Sequence, residues 1–206
     1  MNKKVRILLL FCGMVSVLLS GCIKTEHPTS INNFTDFQVF SVKELYPEAL
    51  ASAKKWMNDA YLHRVSVDVS PKTTNLESLF VFFTFRTYTS QTKYFSYEYI
   101  FGEGIEVKQQ EGEFSVPRPH GIELHPITLP IDSPEAFKIM YNELGRNFYQ
   151  RCKRGEWPLF LSLEQELPSL GEGELVWKIS FPCDEPEDNV AIFINAKTGE
   201  ILEIRE

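Results

Sequence analysis

Four β-prone runs lie between Val65 and Gln110, and most of them alternate large apolar with polar side chains. These runs limit the folds open to the chain more than any other feature. Successive side chains of a β-strand point to opposite faces of a sheet, so each alternating run predicts one strand. The runs cover residues 65–69, 80–88, 93–101 and 105–110. Because Gly102-Glu103-Gly104 allows only a tight turn between the last two runs, they predict a β-hairpin in an antiparallel sheet.

The run 80–88 places large apolar residues on both faces of that sheet. Phe80 and Phe82 lie on one side, and Val81, Phe83 and Phe85 lie on the other. A helix layer covers one face only, so the second face needs its own cover or forms an exposed apolar patch. Two candidates could pack against this second face. One is the other half of the same chain, and the other is a partner protein or an apolar ligand.

Two segments show helical spacing of apolar residues instead. The first runs from about Pro47 to Leu62, with proline at the favoured first helical position. The second begins with Ser133, a suitable N-cap, followed by Pro134. Both apolar stripes predict core faces rather than cofactor sites. They consist of Ala49, Ala53, Trp56, Met57 and Ala60 in the first helix and of Phe137, Met140, Tyr141, Leu144 and Phe148 in the second.

The order of the predicted elements occurs twice, which predicts an α+β fold of two helix-plus-antiparallel-sheet units. The first unit covers residues 41–114 and the second covers residues 133–206, with a proline-rich linker at 115–132 between them. The hairpin that turns at Gly102-Glu103-Gly104 corresponds to a closing hairpin that turns at Lys197-Thr198-Gly199. The predicted strands of the second unit are 159–165, 175–180, 190–195 and 201–205.

Residues 1–22 resemble the export signal of a bacterial lipoprotein. A short basic start precedes an apolar run, which is typical of a secretory signal peptide and is short for a membrane span. Leu19-Ser20-Gly21-Cys22 follows and resembles a lipobox. The resemblance implies removal of a signal peptide at residues 1–21 and acylation of Cys22, where at least two chains, such as palmitate, give stable anchoring. An uncleaved membrane anchor is the alternative.

These features predict a mature protein in the cell envelope, anchored to a membrane through Cys22 and facing away from the cytoplasm. Residues 22–40 predict a polar tether that separates the domain from the membrane. Ile23 follows the cysteine, and the sorting rules of the family then favour the outer membrane where two membranes are present. The net charge is −7, which argues against nucleic acid as a partner.

Two cysteines, Cys152 and Cys183, remain in the predicted mature domain. The envelope permits disulfides, and a bridge would close a loop of about 30 residues and stabilise by roughly 3–4 kcal/mol in the chain-entropy model. We expect the two cysteines to pair, with two separate thiols as the alternative. Neither belongs to a C-x-x-C motif, which argues against redox catalysis and zinc binding.

The end of the chain carries a second family resemblance. Residues 190–202 are similar to the closing hairpin of PepSY-type domains, which end in a strand, a D/N-A-x-T-G-E turn and a final strand. Trp177-Lys178-Ile179 on the preceding strand also resembles those domains. The resemblance implies PepSY-like or broadly cystatin-like units of the kind found in exported proteins, some of which are thought to restrain peptidases. That family has no established catalytic residues to transfer.

The sequence provides no recognisable catalytic set, and we expect neither a metal nor a cofactor. His120, Glu123 and His125 are residue types that bind zinc, but they lie in the proline-rich linker without helical spacing. The acidic residues at 184–188 do not have the EF-hand spacing for calcium. Phosphate-binding, dinucleotide-binding and nucleophile-elbow motifs are absent from the sequence.

The sequence therefore predicts a non-enzymatic envelope lipoprotein that binds or restrains another protein. One alternative is a module that holds a small apolar or glycan ligand on an aromatic sheet face, and another is a hydrolase with an unrecognised site. A protein-binding module predicts an aromatic surface patch. A ligand-binding module predicts a concave pocket with a few polar groups. A hydrolase predicts a cleft with strongly shifted pKa values.

Overall fold

The computed structural model describes residues 31–34, 37–71, 79–102, 104–118, 123–151, 159–165, 175–181 and 190–205. Most of these residues belong to helices or strands. The helices are α1 (Val42–Trp56) and α2 (Ser133–Arg151), and one turn of 3-10 helix covers Pro126–Thr128. The strands are β1 (Ile31–Phe34), β2 (Phe37–Phe40), β3 (Ala60–Pro71), β4 (Leu79–Thr87), β5 (Ser90–Phe101), β6 (Ile105–Glu113), β7 (Leu159–Gln165), β8 (Leu175–Phe181), β9 (Val190–Asn195) and β10 (Ile201–Arg205).

One antiparallel sheet contains both predicted strand sets. Its strand order is β10-β9-β8-β7-β3-β4-β5-β6, and the hairpin of β1 and β2 joins it at the end of β3. The two sets meet where β3 pairs with β7, from Val65 opposite Leu163 to Val69 opposite Leu159. We call this strand pair the central pair. The α+β class and the order of helix and four strands in each half are confirmed, and the halves share a continuous sheet.

Both helices pack on one face of the sheet, which we call the inner face. Alternate residues of the strands point to this face, including Val65 and Val67 of β3 and Leu161 and Leu163 of β7, all with no exposed surface. Ala49 and Ala53 of α1 and Phe137 and Met140 of α2 are buried against them. One continuous hydrophobic core therefore lies beneath the two helices.

The first helix lies several residues before its predicted position. It begins at Val42 because Ser41 caps it, with its Oγ accepting a hydrogen bond from the Glu44 amide at 3.2 Å. The pattern Ser-x-x-Glu at 41–44 is a capping-box sequence that the apolar spacing alone did not reveal. The prediction of a helix from Pro47 to Leu62 is therefore wrong at both ends. Pro47 lies inside the helix, and Leu62 belongs to β3.

The N-termini of the two helices bind each other. Ser133, predicted as the cap of its own helix, is instead the first residue of α2, and its Oγ accepts from the Val42 amide at 3.0 Å and donates to the Phe40 carbonyl at 2.6 Å. The Asp132 carboxylate accepts from the Ser41 hydroxyl at 2.5 Å and from the Lys43 amide at 3.3 Å. One carboxylate thus lies at the positive ends of both helix dipoles.

Two segments predicted to be extended and polar contribute to the core. Residues 37–40, assigned to the tether, form β2, because Phe37 and Val39 are apolar and buried. In the predicted linker, Leu124 is fully buried and its amide donates to the Leu62 carbonyl at 3.0 Å. Ile131 accepts a hydrogen bond from the Trp177 indole at 3.0 Å through its carbonyl oxygen. The stretch 123–132 therefore packs as part of the domain.

Candidate binding surface

The sheet face opposite the helices, which we call the outer face, carries aromatic side chains near its centre. Phe80 and Phe82 of β4 and Phe160 of β7 are half-buried there, and the rings of Phe80 and Phe160 lie 6.4 Å apart between centroids. The described residues place no helix on this face. The predicted division of β4, with Phe80 and Phe82 on one side and Val81, Phe83 and Phe85 on the other, is confirmed by burial of the second set.

Charged side chains lie along one side of these aromatic residues on the same face. Glu164 of β7 lies 3.9 Å from Arg64 of β3 and 3.9 Å from Lys178 of β8. The Lys178 ammonium also lies 5.6 Å from the centre of the Phe193 ring, and the Arg205 guanidinium lies 4.4 Å from it. An aromatic centre with a charged rim is the usual anatomy of a protein–protein interface.

Asp68 lies in the same row of the outer face as Phe80 and Phe160, and it has no exposed surface. Its Oδ2 accepts from the Phe80 amide at 3.3 Å, whereas its Oδ1 has no hydrogen-bond partner. Burial is the main cause that raises the pKa of this carboxyl to about 7, and the negative charge of Glu98 adds to it. A carboxyl group that can stay protonated near neutral pH therefore lies within the aromatic centre.

A different set of residues covers one end of the outer face. The chain after β6 folds back there, so that the Phe114 ring lies 4.9 Å from the Tyr94 ring and 4.5 Å from the Arg118 guanidinium. Buried Arg86 donates to the Arg118 carbonyl at 2.6 Å. Gly112 lies opposite Tyr94, and a Cβ there would lie 2.4 Å from the end of the ring, so a larger residue would displace Tyr94.

His63 lies in β3 near this covered end. Burial lowers its pKa to about 4, and the positive charges of Arg86, Arg118 and Arg64 add to this effect. Asp68 lies five residues further along the same strand, roughly 15 Å away at the usual rise per residue. His63 and Asp68 therefore do not form an acid–base pair.

A second polar arrangement occurs on the inner face, at the side of α1. Tyr97 and Tyr99 of β5 are buried. The Tyr97 hydroxyl donates to Glu48 Oε1 at 2.8 Å, and the Tyr99 hydroxyl lies 3.1 Å from both Glu48 Oε2 and the Leu45 carbonyl oxygen, between which its one proton is shared. Burial and the nearby glutamate raise the pKa of Tyr97 to about 12 and also raise the pKa of Tyr99. Both phenols therefore remain protonated donors, and they hold the exposed Glu48 carboxylate in one position.

Several predicted site residues lie outside the described residues: Cys22, Cys152, Cys183, His120 and the acidic stretch 184–188. The lipidation of Cys22 and the pairing of Cys152 with Cys183 remain predictions. Of the suggested zinc ligands, the structure describes His125 and Glu123, with Nε2 and Oε2 3.9 Å apart. The described part of the chain contains no group of three or more residues arranged to hold a metal ion.

Sequence analysis did not identify Asp68 or Glu48 as site residues. Asp68 occupies a polar position in an alternating strand, and such a position normally faces solvent. Its environment depends on β7, which is distant in sequence. Glu48 is one of several glutamates on α1. Only the contact between α1 and β5 distinguishes it.

Comparisons with known proteins give one distant structural similarity. No protein-family model matches the chain, and no curated protein matches it. A solved structure described as a "putative lipoprotein (CD1622)" from Clostridium difficile 630 is 15% identical, with a TM-score of 0.49, over 78% of this chain and 91% of that one. At this distance the similarity assigns no role to the chain. Among the described helices, none has the length and apolar character needed to cross a membrane.

Proposed function

We propose that the protein is a lipid-anchored lipoprotein of the cell envelope that binds another protein through the outer face of its sheet. The observation that carries this proposal is the group of half-buried aromatic side chains, Phe80, Phe82 and Phe160, with a charged rim along one side. Aromatic residues near the centre of an interface contribute most of its binding energy. The lipobox-like sequence supports the compartment and the anchor at Cys22.

The finer part of the proposal concerns the family and the partner. The order of helix and four strands in each half supports two PepSY-like units, alongside the similar turn at residues 195–200. Because some PepSY-type modules are thought to restrain peptidases, a peptidase of the same compartment is the first partner class to test. Binding rather than catalysis is supported by the separation of His63 from Asp68, an imidazole and a carboxyl group whose pKa values are both strongly shifted.

A photo-crosslinking residue at position 82 tests the outer face in native membranes. We expect one discrete crosslinked protein, and we expect Lys178→Glu to reduce it because that substitution reverses a rim charge. The same crosslinker at exposed Ile127, beside α1 and away from the outer face, is the matched control. Equal crosslinking from both positions, or none from position 82, would contradict the proposed surface.

The anchor is tested separately by metabolic labelling with an alkyne-bearing fatty acid. We expect label on the wild-type chain and its complete loss in Cys22→Ser. Unlabelled wild-type protein recovered from the cytoplasm would contradict the predicted compartment. This result would not bear on the outer face, which the crosslinking experiment addresses.

A further inference from the structure

The two edges of the sheet differ in length and regularity. At one edge, β10 has five residues, and its register with β9 shifts between Ile201 and Glu203. At the other edge, β6 pairs with β5 through nine consecutive residue pairs without a shift. Short and irregular edge strands resist pairing with a further strand, whereas long and regular ones permit it. Within the described part of the chain, no strand pairs with the far side of β6.

The inner side of β6 extends beyond the helix that covers its neighbours. Helix α1 packs on β3, β4 and β5. Val107 of β6 is half-buried, and Gln109 and Glu111, which point to the same side, are exposed. An uncovered strip of the inner sheet face therefore lies beside α1, and Tyr97 and Tyr99 lie where this strip meets the helix. We call the free side of β6 together with this strip the β6 edge.

Glu48 provides a fixed negative charge at the inner margin of the β6 edge. Its Oε1 accepts from the buried Tyr97 hydroxyl at 2.8 Å, and its Oε2 lies 3.1 Å from the Tyr99 hydroxyl, which shares its proton with the Leu45 carbonyl oxygen. No cation of the described residues forms an ion pair with this carboxylate. Such a group can accept further charge-assisted hydrogen bonds without losing side-chain freedom, because the tyrosines already restrict it.

We propose that the β6 edge binds an extended segment of another protein as an added strand, and that Glu48 receives a lysine or arginine of that segment. Addition of a strand to a regular open edge is a common mode of peptide recognition, in which main-chain hydrogen bonds give affinity and alternate side chains give specificity. This surface is separate from the outer face, so the proposal does not rest on the proposed function.

Charge identifies the class of occupant. The strand β6 contains three glutamates and one lysine, and Glu48 lies over the neighbouring strand β5. The whole chain has a net charge of −7, so a second copy would meet like charge along this edge. A basic extended segment meets opposite charge and is therefore the occupant to which we commit.

The test uses the detergent-solubilised full-length chain and a displayed library of random nine-residue peptides. We expect selected peptides to be enriched in lysine or arginine at alternate positions. Hydrogen exchange with a selected synthetic peptide should then slow in residues 105–113 and stay unchanged in residues 201–205, the opposite edge. Protection elsewhere, the absence of selected peptides, or a selected pool without basic residues would overturn the proposal.

Substitutions separate the contribution of the Glu48 charge from that of strand addition. Glu48→Gln keeps an acceptor for the tyrosines and removes the charge, and we expect about tenfold weaker peptide binding. Glu135→Gln, at an exposed glutamate on α2, is the matched control and should leave the affinity unchanged. Equal effects of the two substitutions would overturn the role of Glu48.

Two single substitutions, Lys108→Pro and Gln109→Pro, test whether the peptide pairs with β6 as an added strand. The amides of neighbouring strand residues point in opposite directions, so one of these two amides points away from β5. The variant whose thermal midpoint is unchanged identifies that residue, and it should abolish peptide binding. Retained binding in that variant, or self-association of the wild-type chain through β6 detected by light scattering, would overturn the proposal.

Discussion

The two halves of the sheet, residues 42–113 and 133–205, have the same order of elements but differently composed cores. The first half buries large aromatic residues beside valine and leucine on its inner face, and the second uses mainly leucine and isoleucine around Trp177. The larger aromatic members are Phe83, Phe85, Phe95, Tyr97 and Tyr99, and their aliphatic counterparts are Leu161, Leu163, Ile179, Ile192 and Ile194.

This difference shows that the arrangement follows from alternation and turns rather than from particular side chains. Composition instead decides which half carries polar groups in its core. Buried tyrosines need hydrogen-bond partners, so the aromatic half positions Glu48 at its margin. Leucine and isoleucine impose no such requirement. Four comparisons test how far the two halves are equivalent and how far they depend on each other.

The largest effect is expected from truncation of the two cores. Phe83→Ala should cost about 3–5 kcal/mol of unfolding free energy and Ile192→Ala about 2–5 kcal/mol, because each leaves a cavity in a fully buried site. The central pair joins both halves, so each variant should unfold in one transition at a lower urea midpoint, seen alike by circular dichroism and tryptophan fluorescence. Two transitions, with only one moved by Phe83→Ala, would mean that the halves fold independently.

A pH-dependent effect is expected from Asp68. Its carboxyl has an unfolded pKa near 3.8 and a folded pKa of about 7, so between these values only the folded state holds the proton. The unfolding free energy of the wild type should therefore fall as pH rises through this window, by at most about 1.4 kcal/mol for each unit of pKa difference. Above the folded pKa it should level off.

Asp68→Asn removes this proton and keeps an acceptor for the Phe80 amide. We expect the variant to be more stable than the wild type at pH 8, with the gain disappearing towards pH 4. Chemical unfolding at a series of pH values checks this expectation. Asp59, whose pKa is lowered mainly by a hydrogen bond from Thr87, gives a control of opposite sign. Parallel wild-type and Asp68→Asn profiles would refute the pKa assignment.

An intermediate effect is expected at the contact between the helix N-termini. Ser133→Ala leaves the Val42 amide and the Phe40 carbonyl without their partner in a buried site, at about 1–3 kcal/mol. Although Ser133 belongs to α2, the amides at the start of α1 should exchange faster with solvent. Ser41→Ala removes the cap of α1 itself and should cost about 0.5–2 kcal/mol. Faster exchange confined to α2 after Ser133→Ala would contradict the reciprocal arrangement.

The smallest effect is expected at the turns of the two edge hairpins. Gly199 has a φ of 77°, and a Cβ there would lie 3.1 Å from Ile139, so Gly199→Ala should cost about 1 kcal/mol or more. Gly104 has no atom within 4 Å of such a Cβ, and Gly104→Ala should leave the thermal midpoint unchanged or slightly higher. Equal losses would show that the two turns are more alike than their geometry indicates.

Local patterns were sufficient to predict most strands. The segments 159–165, 190–195 and 201–205 were predicted with the bounds that the structure gives, because alternation and turn residues act over a few positions. The capping-box sequence at 41–44 also indicates the true start of α1, but the spacing of apolar residues favours a later start. A proline inside the helix at position 47 reinforced that error.

Long-range pairing accounts for what the sequence could not reveal. Nothing in β3 or β7 alone indicates that these strands pair, and the burial of Asp68 depends on that pairing. Likewise, the role of Ser133 depends on Val42, about 90 residues earlier, and the fixed position of Glu48 depends on two tyrosines of β5. Side chains of ordinary type become special only through such contacts.

The central pair has a consequence for biosynthesis. The ribosome completes β3 about 95 residues before β7, which corresponds to roughly 5–20 s of translation. Until β7 emerges, the nascent first half presents the edge of β3 with backbone N–H and C=O groups that lack their eventual partner strand. This interval is when premature pairing with other polypeptides is most damaging, so holdase chaperones should associate with ribosome-bound chains that end between these two strands.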